Sequence, residues 1–233
     1  PTGQTRPVPF ESNELISTLI DKDGNIWIAP YHQGVKCYDR NGKLLHSYHS
    51  GNSPLQTNVV LSLAENDGKI WIGTDGGGIN RLHPATKKFH HIMSTWGDKV
   101  SSIAGVDKER LLVSLFSKGI FFFDRKKGNY QPLIIVNDSI NELMCKRGKT
   151  VNVFQNTPET ILLLSESPYS YHISKKEFTP IPLDKHTKEI VGTMLPIESK
   201  GPISYLHDFK HIYRIDSRKN ELETIFGCKG DTI

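Results

Sequence analysis

Residues 21–48 read DKDGNIWIAPYHQGVKCYDRNGKLLHSY, and residues 65–92 read ENDGKIWIGTDGGGINRLHPATKKFHHI. Each copy runs through an apolar segment, an Asp-Gly turn, an Ile-Trp-Ile strand, a Gly-containing turn, a second strand, a polar turn and a third strand. Trp27 and Trp71 are 44 residues apart, a period that suits a small four-stranded sheet. Such a sheet cannot bury both faces alone, so neighbouring sheets must stack. The spacing predicts an all-β chain of propeller blades.

Further copies emerge with the tryptophan as origin and a reference point twelve residues upstream. Leu15 stands twelve before Trp27 and Val59 twelve before Trp71, and the same spacing pairs Val100 with Leu112, Val151 with Leu163, and Thr193 with Tyr205. Successive origins are 44, 41, 51 and 42 residues apart. Gly34, Gly78 and Gly119 each follow their origin by seven, and Tyr38, Leu82 and Phe123 then align. The last two copies lose the glycine but share one offset to YHIS (171–174) and YRID (213–216).

These readings place one propeller over 1–233, with blades at about 11–50, 55–94, 98–136, 150–184 and 190–227 and an insertion at 137–149. Within the second copy the expected strands are 59–65, 69–74, 78–83 and 88–93. Asp67-Gly68 is a two-residue hairpin signal, and Gly76, Gly77 and Gly78 permit positive φ in the next turn. The best helical candidate is 138–147, DSINELMCKR. Both termini read as cut from a longer protein, with further blades expected, although a five-bladed ring is geometrically possible.

Strand two of each copy is a continuous apolar run, as expected for a strand covered on both faces. Trp27 and Trp71 therefore read as wedge fillers between blades. With 233 residues, 36% of them hydrophobic, the chain can bury a real core. A net charge of +4, from 29 basic and 25 acidic residues, without a basic stripe, argues against nucleic acid in this region. No apolar run reaches membrane-spanning length. Cys37, Cys145 and Cys228 lack metal spacing, and an odd count leaves at least one thiol unpaired.

Propeller ligands usually meet a face built from loops, because rigid scaffolds carry function there. Here those loops join strand two to strand three and each fourth strand to the next blade. The candidate ligand-binding residues on them are Tyr31, His32, Asp75, Trp96, Lys118, Tyr169 and His207. An aromatic on such a loop can stack on a sugar ring while His reaches its hydroxyls. The competing account is that loop aromatics plug the channel or cover blade edges. Trp96 stands out because neither strand alternation nor the repeat spacing explains it.

Catalysis finds no nucleophile elbow, HExxH or Walker loop, so no catalytic residue and no cofactor is expected. Asp75, Glu166 and Asp208 occupy equivalent turns, the placement a shared cation would need, but copies one and three supply no acid there. No metal ligand is assigned.

The repeat resembles the two-component regulator propeller, whose copies read approximately D-G-x-[IL]-W-[IF]-G-T-x-G-G-G-[IL]-N-[RK]. DGKIWIGTDGGGINRL (67–82) matches almost throughout. DGNIWIAPYHQGVKCY (23–38) matches with Ala29 and Pro30 replacing Gly-Thr and two glycines lost. NSPLQTNVVLSL (52–63) resembles that family's inter-blade loop and opening strand. The resemblance implies the periplasmic sensor part of a hybrid histidine kinase of gut Bacteroidetes, usually two propellers, a β-sandwich and a membrane helix. It implies an oligosaccharide ligand, control of polysaccharide-utilisation genes, a homodimeric parent and no catalysis in this region. Two other readings stay open: a protein–protein interaction propeller, and a Mg²⁺-dependent enzyme like the streptogramin lyases, whose W-F-T-E continuation is missing here.

Overall fold

The computed structural model describes residues 15–133, 152–157, 159–164, 168–182, 195–200, 203–207, 211–216, 218–219 and 221–227. The expected insertion at 137–149, the segment 138–147, and Val151, Glu166, Thr193, Asp208, Cys145 and Cys228 lie outside these residues.

The described chain forms five four-stranded antiparallel sheets, each a simple meander, which are the blades of a β-propeller. Blade one contains β1 (Leu15–Ile20), β2 (Ile26–Pro30), β3 (Val35–Tyr38) and β4 (Leu44–Tyr48). Blade two contains β5 (Val60–Asn66), β6 (Lys69–Thr74), β7 (Ile79–His83) and β8 (Lys88–His91). Blade three contains β9 (Val100–Gly105), β10 (Arg110–Leu115), β11 (Gly119–Asp124) and β12 (Asn129–Pro132). Blade four contains β13 (Asn152–Thr157), β14 (Thr160–Leu164), β15 (Tyr169–His172) and β16 (Glu177–Pro180). Blade five contains β17 (Leu195–Lys200), β18 (Ile203–His207), β19 (His211–Asp216) and β20 (Glu221–Gly227). The blades fall into two compact units, Pro1–Lys99 and Val100–Ile233.

In the first unit the core lies between blades one and two. Trp27, Ala29, Val35 and Cys37 from blade one meet Val60, Leu63, Ile70, Ile72 and Leu82 from blade two, with Leu55 of the connecting loop. Trp27 fills the wedge as expected: its ring stacks on Tyr48 (centroids 6.5 Å apart, 11° between planes). Its Nε1–H donates to Asp21 Oδ2 at 2.8 Å, which gives the buried indole the polar partner it needs. Asp21 also accepts from the backbone N–H groups of Asp23 and Asn25 and from the Asn25 side chain. Burial pushes its carboxyl up, but these four donors together hold it below the usual carboxylate range. Trp71 occupies the same station in β6 and is fully buried. Its neighbours Ile70 and Ile72 face blade one, so strand alternation sends Trp71 to the other side of its blade.

The second unit repeats this packing twice. Between blades three and four lie Ala104, Leu112, Ile120, Val153, Ile161, Leu163 and Tyr171. Between blades four and five lie Leu162, Leu164, Ile181, Leu206, Tyr213 and Ile215. These clusters correct the repeat spacing in blade four. Leu112 faces the following blade, as Trp27 does, but Leu163 faces the preceding one; Leu162 holds the origin station. Unlike Leu163, Tyr205 keeps it, flanked in β18 by Ser204 and Leu206, of which Leu206 packs toward blade four. A one-residue slip reverses every side chain of a strand. In an all-apolar run such as ILLL no alternation marks the correct phase.

Two turns behave as their sequences require. Asp67 and Gly68 have φ of 54° and 66°, the paired positive values of a type I′ hairpin. Gly76 and Gly78 have φ of 77° and 66°. Gly77 needs its small size for another reason: a Cβ there would meet Thr74 Oγ1 at 2.8 Å.

Strand four of blade two ends at His91, not at Met93 as the pattern suggests, and a single 3-10 turn follows at Met93–Thr95. Ile92 N–H still donates to Ile79 O, but Ile79 N–H is taken by the Thr95 hydroxyl at 2.8 Å. The side chain thus ends the ladder. A second device was not anticipated. Ser17 Oγ accepts Leu63 N–H of the next blade at 3.1 Å, and Ser102 Oγ accepts Val153 N–H at 2.8 Å. Both serines stand ten residues before their origins, Trp27 and Leu112.

Candidate ligand-binding face of the first unit

The β2–β3 turn carries Tyr31 and His32. Gln33 N–H donates to Pro30 O at 3.1 Å, and His32 takes φ of 58°. The Tyr31 and His32 rings meet edge to face at 4.0 Å and 70°. Gly34 N–H donates to Asn58 O at 2.9 Å, and the next residue of that loop, Val59, accepts from Asp75 N–H at 3.0 Å. The two strand-two-to-strand-three turns therefore hang from adjacent residues of one connection.

That connection, residues 49–59, is wound on itself. Ser50 N–H donates to Asn58 Oδ1 (2.8 Å), His49 N–H to Asn52 Oδ1 (2.8 Å) and Ser53 Oγ–H to His49 O (2.8 Å). Leu55 anchors it in the core.

The second connection brings in Trp96. Gly97 N–H donates to Gly76 O at 3.0 Å and Gly78 N–H to Asp98 O at 3.1 Å. Lys99 Nζ pairs with Asp75 Oδ2 at 2.9 Å. Thr95, fully buried, donates its hydroxyl to Ile92 O at 2.7 Å while accepting from Ile79 N–H. Trp96 is thus held by bonded residues on both sides, yet its side chain is 61% exposed, and Met93 beside it 64%. The indole leans edge to face on His91 at 6.0 Å and 66°. Burial pushes the His91 imidazole below its ordinary range, against an opposing pull from the backbone of Gly77. Gly76 and Gly97 border open space on this end.

Four of the seven candidate residues, Tyr31, His32, Asp75 and Trp96, are accordingly brought to one end of the first unit. The other three belong to the second unit. Lys118 is exposed in the β10–β11 turn, after Ser117 with φ of 60°. Tyr169 is not on a turn as local sequence suggests: it opens β15, pairs with Leu163 and Pro180, and packs against the core between blades three and four. His207 closes β18, paired with Leu195 and Ile212, so it too is a strand residue. Sequence reasoning missed Thr95, His91 and Lys99, which hold the face together. For Thr95 and Lys99 the only signal was the 94–99 loop, and His91, the last residue of β8, carried none.

At the other end of the strands, the Asp-Gly turns of blades one and two flank a pocket of ≈ 210 Å³ lined by Asp21, Lys22, Asp23, Glu65, Asp67 and His83, among others. Burial, reinforced by Asp21 and Asp23, raises the Glu65 carboxyl above its ordinary range, although Lys22 N–H donates to it at 2.7 Å. Among the described residues no group of three or more His, Cys, Asp or Glu is arranged to hold a metal ion. No helix among them is long and apolar enough to cross a membrane.

The family model described as two component regulator propeller matches residues 54–76, from the connecting loop through β5 and β6 to the glycine turn. The match takes in the DGKIWIGT run, so the second repeat is similar to a regulator-propeller repeat. Among solved structures, the chain is similar to the extracellular domain of a protein described as a one-component system from B. thetaiotaomicron. That similarity has a TM-score of 0.62 at 18% identity and covers 93% of this chain and 31% of the other. The extracellular domain of a hybrid two-component system from the same organism gives 0.59 at 14%, covering 91% and 30%. An auxiliary nutrient binding protein of that organism gives 0.65 at 12%, covering 91% and 57%. At these identities the likeness is one of fold. The chain spans about a third of the two extracellular domains, 31% and 30% of their lengths. No curated protein matches.

Proposed function

We propose that this chain is part of the periplasmic sensor region of a hybrid two-component histidine kinase, and that it binds an oligosaccharide without catalysing any reaction. Binding would control polysaccharide-utilisation genes through the rest of a dimeric sensor. The regulator-propeller repeat at 54–76 supports the sensor assignment, and the nutrient-binding and sensor relatives in fold agree with it.

One observation carries the ligand class: Trp96 is exposed but rigidly mounted. An immobilised aromatic presents a flat apolar surface with little entropy left to lose on binding. Tyr31, His32, Asp75 and Lys99 on the same end supply donors and acceptors for hydroxyl groups. A ligand acts as a signal only by favouring one arrangement of the sensor over another.

Calorimetry of the chain and of the full sensor against a glycan panel tests the reading. A glycan should bind, and Trp96→Ala should weaken it at least tenfold while leaving the thermal midpoint within about 2 °C, as expected for an exposed side chain. Absence of glycan binding to the full sensor, together with tight capture of a protein partner, would replace this reading with the scaffold one.

A further inference from the structure

Inside the first unit, Asn80 and His91 each hold two enclosed polar atoms that no hydrogen bond uses, and Ser62 Oγ and His83 Nδ1 are unbonded as well. Asn80, in β7, is 0% exposed, and neither its Oδ1 nor its Nδ2 is bonded. Its cross-strand partner in β8 is His91, whose Nδ1 and Nε2 are buried and likewise unbonded. The backbone of Gly77 approaches that ring closely enough to influence its protonation, but not in hydrogen-bond geometry. Thr74 and Thr95 are equally enclosed, and both hydroxyls are bonded.

The strand register fixes how the pair lies. Leu82 and Phe89 are opposite each other two residues along the same strands, and both pack on the core between blades one and two. Strand side chains alternate, so Asn80 and His91 face that same layer. Directly opposed residues have Cβ atoms about 5 Å apart. A carboxamide and an imidazole therefore sit side by side within an otherwise apolar layer.

A buried polar atom without a partner weighs heavily against a fold, and native proteins rarely tolerate one. A direct bond between the two side chains would serve only one atom of each. The missing partner must donate as well as accept, and must reach both groups at about 3 Å. The enclosure of all four atoms excludes any sugar, peptide or ion brought from outside. One molecule meets these demands. We infer that Asn80 and His91 hold an ordered water molecule between blades one and two. The site lies directly beneath the exposed face, since His91 is the ring on which Trp96 leans. The water selects the His91 tautomer and holds the ring in place, so the pair positions Trp96 from below. It does so whatever ligand the face takes.

Oxygen-17 relaxation dispersion of the 233-residue chain counts long-lived internal waters, and a water-to-His91 nuclear Overhauser effect locates them. The wild type should show that Overhauser effect, and Asn80→Leu should lose it together with at least one long-lived water. Thermal midpoints give a separate readout. Removing one partner strands the other, so Asn80→Leu should lower Tm by about 2–8 °C, and Asn80→Leu/His91→Phe should recover at least half of that loss. Absence of a water contact to His91 in the wild type overturns the inference, even if neither variant folds. So does a pair of single substitutions that each raise Tm additively, because independent unbonded groups behave that way.

Discussion

Replacing Thr95 with valine tests whether a single hydroxyl mounts the exposed face. Thr95 is fully buried, and valine is nearly its isostere, so packing is preserved while both hydrogen bonds disappear. The two losses are unequal. Ile92 O keeps a donor, because Thr95 N–H also reaches it at 2.9 Å. Ile79 N–H has no such substitute: it sits at the start of β7 and donates to the Thr95 hydroxyl at 2.8 Å. A buried donor left unsatisfied costs roughly 1–3 kcal/mol, so about 2 kcal/mol is expected. For a chain of this size that lowers the thermal midpoint by about 4–8 °C. Thr95→Ser keeps the hydroxyl and loses one methyl, about 1 kcal/mol, and should fall between wild type and valine. Calorimetry gives the order. Acrylamide quenching gives a second view, because Trp27 and Trp71 are buried and Trp96 dominates the accessible emission. Valine should increase the spread of quenching rates as the loop loosens. Thr95→Val at least as stable as Thr95→Ser would refute the role given to the hydroxyl.

The glycine turn and the opposite pocket offer two further tests. Gly78→Ala should abolish native packing of the first unit, since φ of 66° is combined with a Cβ driven into the Thr95 backbone carbonyl; Gly76→Ala, at φ 77° in open space, should cost only about 1–2 kcal/mol, read by thermal melts of both variants. Glu65 carries a folded-state pKa above its unfolded value of about 4.3, so its contribution to stability is present below that value and is lost as pH rises through the folded one. Glu65→Gln, which keeps an acceptor for Lys22 N–H, should therefore melt higher than wild type at pH 7, with the difference shrinking by pH 3.5; a gap that stays constant with pH would show that the charge is not responsible.

The blades were legible because propeller repeats leave redundant marks. Trp27 and Trp71 share a station, Asp67-Gly68 dictates its own turn, and the apolar strand-two runs recur at nearly constant spacing. Phase was readable where a strand mixes residue kinds, as around Trp71 or Tyr205, and unreadable in ILLL, where either face could be the core. Tyr169 and His207 were misplaced for a related reason. Tyr169 is the first residue of β15 and His207 the last of β18, so each stands at a strand end beside a turn, and nothing in the local sequence marks that boundary.

The candidate face was legible only in outline. Loop positions singled out Tyr31, His32, Asp75 and Trp96, because topology alone puts those turns at one end. The residues that make the face rigid carry no local signature: Thr95 looks like any polar loop residue, and His91 like any exposed strand residue. Their roles depend on a loop folding back across a neighbouring turn, through contacts up to 24 residues apart such as Asp75 with Lys99. The same limit applies to Ser17 and Ser102, whose hydroxyls matter only because another blade offers a backbone N–H. Repeat position could have revealed them, since both stand ten residues before the origin. Ser62 stands nine before Trp71, at the corresponding point of β5. Ser17 and Ser102 thus mark blade-to-blade bonding rather than solvent exposure, whereas the correspondingly placed Ser62 hydroxyl is buried without a hydrogen bond. A serine at this point of the opening strand, where β propensity favours branched or aromatic residues, therefore signals burial between blades but not by itself the bond.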